Sequence, residues 1–188
     1  ADLRDDKEVV LKAVSQNGES LVYASSRLYN DNELVEMSLA NGLSLNNYNS
    51  NLRNSKPYML EVVNHNGLLL EYASADLRND KEVVLKAVSQ NGESLVYASA
   101  DLRDDKEVVL KAVSQNGESL VYASSRLYND NELVEMSLAN GLSLNNYNSN
   151  LRNSKPYMLE VVNHNGLLLE YASADLRNDK EVVLKAVS

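Results

Sequence analysis

Glycine occurs seven times in this chain, and each time it follows an asparagine: Gly18, Gly42, Gly67, Gly92, Gly117, Gly141 and Gly166. Successive glycines lie 24, 25, 25, 25, 24 and 25 residues apart. A fixed period of this length marks a stacked array, because so short a unit cannot bury a core alone and must cover its apolar face with its neighbours. A second period lies above the first: residues 1–89 recur unchanged as 100–188, an offset of 99. The chain divides into units 1–25, 26–49, 50–74, 75–99, 100–124, 125–148 and 149–173 and a half unit 174–188, about seven and a half in a single array over 1–188.

The first unit shows what each contains. Asp5 and Glu8 have capping-box spacing, and Asp5, Asp6 and Glu8 place negative charge at the positive end of a helix dipole. Val9, Val10, Leu11, Ala13 and Val14 then cover most of a helical circumference, so the helix Asp5 to Gln16 is expected to pack on more than one side. Asn17-Gly18 ends it. Asn-Gly also favours β-hairpins, but neither flank alternates as strands do, so the glycine reads as the residue past a helix end, in a left-handed conformation. Each of the seven glycines is therefore expected at positive φ. Beyond it, Leu21, Ala24 and Leu28 form one apolar stripe of a second, shorter helix or helical turn, followed by a polar link. The expected fold is all-α, a right-handed α-solenoid of helix-turn-helix repeats.

Two units depart from the pattern. The second, "SRLYNDNELVEMSLANGLSLNNYN", is one residue short, and its stretch Leu45 to Asn49 is a poor helix sequence. Asn47 stands where other units have Tyr, and Tyr48 where they have Ala. The third carries Pro57, which a helix start tolerates, and His65.

Little in the chain suggests chemistry. Cysteine is absent, which excludes disulfides and thiolate metal sites. His65 and His164 are the only histidines and have no ligand-type neighbours at helical spacing. The serines have no partnered base, and "DLRDDKE" lacks the order of a calcium loop. No catalytic residue, cofactor or metal is expected. A net charge of −9 argues against nucleic acid, and no apolar run is long enough to span a membrane. Tyr23, Tyr72, Tyr97, Tyr122 and Tyr171 each lie five residues after a glycine. They form a ladder that reads first as packing and second as a partner-binding face.

The unit D/N-D-K-E-V-V-L-K-A-V-S-Q-N-G-E-S-L-V-Y-A-S resembles a family of short tandem repeats from large microbial and protist proteins, domain of unknown function 4116. The resemblance implies a helical-repeat solenoid and no assigned activity. A weaker likeness to ankyrin repeats stops at appearance, because these units lack room for the projecting β-turn. The exact duplication fits a recent expansion in a long natural array or a constructed repeat; runs such as "NNYNSN" favour expansion. The functional expectation is a structural spacer, scaffold or fibre segment whose partner is itself, by head-to-tail stacking or as part of a longer array. The alternative is a solenoid that binds a protein or peptide on its curved face.

Overall fold

The computed structural model describes residues 2–47, 49–146 and 148–188; Tyr48 lies outside them. No strand occurs among the described residues. A regular unit has three helical pieces. In the fourth these are a short helix Ala75–Arg78, a long helix Lys81–Gln90 and a 3-10 helix Gly92–Tyr97. The sequence reading merges the last piece of one unit with the first piece of the next. Its stripe Leu21–Leu28 spans two elements, a 3-10 helix Gly18–Tyr23 and another, Ser26–Asn30, and the presumed polar link is itself helical.

Local chemistry explains each boundary. Asp80 caps Lys81–Gln90 by accepting from the N–H groups of Glu82 and Val83, at 3.0 and 3.2 Å. In the first unit the equivalent cap is Asp6, so the helix is Lys7–Gln16 and the expected start at Asp5 is corrected by one step. Asp5 instead belongs to a preceding 3-10 turn and holds Ser25 and Arg27. At the other end, Asn91 is extended and its side chain accepts from Glu93 N–H at 3.0 Å. The asparagine of Asn-Gly is thus the N-cap of the 3-10 helix, closing one element and opening the next.

The units stack in chain order. Lys56–His65 packs on Lys81–Gln90, which packs on Lys106–Gln115, and each 3-10 helix lies against the long helices of its own and the following unit. Val9 shows what one layer of stacking covers. It is 42 % exposed, whereas its equivalents Val83, Val108 and Val182, each with a preceding unit, are 0 % exposed. On the opposite face Val187 is 74 % exposed, whereas Val88 and Val113 are fully buried. Val182 therefore belongs to the inward surface, and Val187 with Leu184 forms the free one.

The second unit is built differently. Its long helix, Asn32–Ala40, ends with Asn41, and Gly42 follows at φ +97°. Gly42 N–H reaches Leu39 O at 3.3 Å and Leu43 N–H reaches Ser38 O at 2.9 Å, the paired bonds of a Schellman end. No helix follows over 43–47, as the weak sequence there foretold. The sixth unit repeats this at Gly141, φ +99°.

Candidate functional site

The glycines fall into two classes that the sequence does not separate. Gly42 and Gly141 have positive φ and open space where a Cβ would stand. Gly18, Gly67, Gly92, Gly117 and Gly166 do not have positive φ, which corrects the expectation of one common bend. Their constraint is contact. A Cβ on Gly92 would collide with the Ala112 carbonyl oxygen of the next unit, and one on Gly67 with that of Ala87. Ser38, Ser137 and Ala186 occupy the same place for Gly18, Gly117 and Gly166. The 3-10 helix of one unit therefore rests its backbone on the last turn of the next unit's long helix, and only glycine opposite a small residue permits that approach.

Charge reinforces the same interface. Lys81 Nζ lies 2.8 Å from both Asp105 and Glu107 of the following unit. Lys7 spans Asp31 and Glu33, Lys56 spans Asp80 and Glu82, Lys106 spans Asp130 and Glu132, and Lys155 spans Asp179 and Glu181. Each aspartate is also the helix cap, so the lysine ties one helix start to the next. The Lys81 ammonium holds Asp105 below its ordinary range, against partial desolvation and with help from the Val108 and Glu107 N–H groups. Each of these lysines is the first residue of its unit's long helix. Their role was legible in a coupled loss: Asn32 replaces the lysine of the second unit, and Ser55 replaces the aspartate it would meet.

Between units two and three, buried hydroxyls take over. Tyr58 donates to Ser44 O at 2.7 Å and accepts from Asn47 N–H at 3.2 Å, while Ser55 donates to Tyr29 O. Across units one and two, Tyr29 donates to Val22 O at 2.6 Å. Burial pushes the Tyr58 hydroxyl up to about 12. Glu19 grips the loop, accepting from Ser44 N–H at 2.9 Å and Asn47 Nδ2 at 2.8 Å. The sequence reading passed over Tyr29 and Tyr58 because neither belongs to the post-glycine ladder.

That ladder is interrupted. The 3-10 helices Gly67–Tyr72, Gly92–Tyr97 and Gly117–Tyr122 stack consecutively, so Tyr72, Tyr97 and Tyr122 form a half-buried run. Tyr23 is 76 % exposed and is separated from the run by the second unit, whose described residues form no 3-10 helix after its glycine; Tyr171 lies beyond the sixth unit in the same way. The Arg53 guanidinium sits 4.9 Å from the Tyr72 ring centre. Glu71 raises the pKa of Tyr97, chiefly through its charge. His65 and His164 are exposed. Among the described residues no cluster of His, Cys, Asp or Glu could hold a metal ion, and no helix is long and apolar enough to cross a membrane.

A family model described as Domain of unknown function (DUF4116) matches residues 6–53, 56–103, 105–152 and 155–188, and the chain belongs to this tandem-repeat family. Each full match spans two of the short units. No match was found among curated proteins or among solved structures.

Proposed function

We propose that the chain is a segment of a structural solenoid, right-handed in sense, that serves as a spacer or scaffold and performs no catalysis. One observation carries this reading: the same glycine contact and lysine bridge recur at five junctions along the array, and the first and last long helices each leave apolar side chains uncovered. The first face offers Val9 with the acceptors Asp6 and Glu8. The last offers Leu184 and Val187 with Lys180, the equivalent of the lysine that bridges to the next unit elsewhere. The faces are complementary and not identical, so contact between copies is head-to-tail and propagates. Burial of the apolar pair supplies the attraction and the Lys–carboxylate bridge the register. Light scattering over a dilution series tests this: apparent mass should rise with concentration. A chain that stays monomeric at high concentration would remove self-assembly from the reading.

The run Tyr72, Tyr97 and Tyr122 favours a second reading, a protein- or peptide-binding face. Aligned rings offer rigid contact area to an extended partner. Replacing Tyr97 with Ala should then abolish capture of that partner while leaving the mass distribution unchanged.

A further inference from the structure

We infer that Asn41 and Asn140 are sites of spontaneous backbone modification, and that Asn17, Asn66, Asn91 and Asn116, in the same dipeptide, are protected by the stacking. The reaction needs only the chain and water. The Gly42 backbone nitrogen, once it gives up its proton to solvent base, attacks Cγ of Asn41. The Cγ–Nδ2 bond breaks and Nδ2 leaves as ammonia, which takes up a proton. Water then opens the five-membered imide at one carbonyl, giving Asp, or at the other, giving isoaspartate with an extra backbone carbon.

Geometry separates the two sets. Gly42 and Gly141 are exposed, with nothing within reach of a built Cβ, and their N–H groups make only long bonds of 3.3 Å. At the protected positions glycine is buried against the next unit's backbone. Gly18 N–H donates to Asn41 O and Gly117 N–H to Asn140 O, both at 2.9 Å, and Gly67 N–H donates to Gln90 Oε1 at 2.7 Å. The side-chain oxygens of Asn17, Asn66, Asn91 and Asn116 are engaged as caps of the following 3-10 helix. Reaction there first requires the interface to open. Modification at Asn41 strikes a structural joint: its carbonyl receives Gly18 from the first unit, and the inserted carbon would displace the Leu43–Ser38 bond. Since residues 1–89 recur at 100–188, the lesion would recur with a period of 99.

The test is peptide mapping by mass spectrometry after incubation of the intact chain at mildly alkaline pH, with a parallel sample in denaturant. In the folded chain the peptide shared by Asn41 and Asn140 should lose amide more than about tenfold faster than the one carrying Asn91. In denaturant the difference should vanish. Gly42→Ala with Gly141→Ala should slow the fast reaction. Equal rates in the folded chain, or faster loss at Asn91, would overturn the inference, as would a rate difference that persists in denaturant.

Discussion

Gly92 and Gly42 share a dipeptide and a place in the repeat, yet the chain uses them for opposite reasons. Gly92 follows an extended asparagine and is defined by what lies opposite, the Ala112 carbonyl of the next unit. Gly42 follows an asparagine at φ −104° and ψ 23° and is defined by its own torsion, φ +97°, in open space. The difference traces to the long helix. Lys81–Gln90 has 10 residues and Asn32–Ala40 has 9, and the shorter one closes with a Schellman end in place of a 3-10 helix. One interface is sealed by backbone contact and a lysine bridge, and the next, between units two and three, by buried hydroxyls.

Substitutions should separate the two. Gly92→Ala pushes a methyl group into a backbone carbonyl that no side-chain movement relieves, and should cost about 3 kcal/mol in denaturant unfolding. Gly42→Ala meets no neighbour and should cost only the left-handed penalty, about 1–2 kcal/mol. Gly42→Asn should cost less than Gly42→Ala, whereas Gly92→Asn should be at least as damaging as Gly92→Ala. If the two alanine variants were equally stable, the distinction would fail. Tyr58→Phe removes the hydroxyl that closes the junction of units two and three, and should cost about 1–2 kcal/mol by leaving Ser44 O and Asn47 N–H without that partner.

The smallest effect belongs to the lysine bridges, which are partly exposed. Lys81→Met should lower the melting temperature slightly at low salt and hardly at all in high salt. The pH dependence has a definite sign. Asp31, Asp105 and Asp130 have lowered pKa values with lysine as the leading cause, so their contribution is complete above the ordinary aspartate value of 3.8 and is lost as pH falls through the folded values. The wild-type chain should therefore lose stability below about pH 4, and Lys81→Met should lose less over that range. An identical acid limb for the two proteins would mean the bridge does not couple to folding.

How much was legible follows from distance along the chain. The period, the all-helical class and the long helices rest on local pattern, and all were readable. So was the absence of a helix over 43–47. The role of Gly92 was not readable, because its contact, Ala112, is 20 residues away and local rules offer only torsion as a reason for glycine. The helix type after Asn-Gly was equally hidden: an apolar stripe over a few residues fits an α-helical turn or a 3-10 helix. The cap shifted from Asp5 to Asp6 because consecutive aspartates both satisfy a capping pattern. The tyrosine ladder is already broken in sequence, where Asn47 stands in place of Tyr, and it is broken in space at the same unit, whose described residues form no 3-10 helix after Gly42.

The proposal that the last long helix of one copy meets the first of another as neighbouring long helices do inside the array is tested most directly by mixing. Val9→Asp blocks the first face and leaves the last intact; Val187→Asp does the reverse. Each variant alone should be monomeric by sedimentation at concentrations where the wild-type chain forms longer species. An equimolar mixture should form dimers and stop there, since the two faces still intact meet only once. Association of either variant alone, or a mixture that stays monomeric while the wild type assembles, would contradict a head-to-tail array.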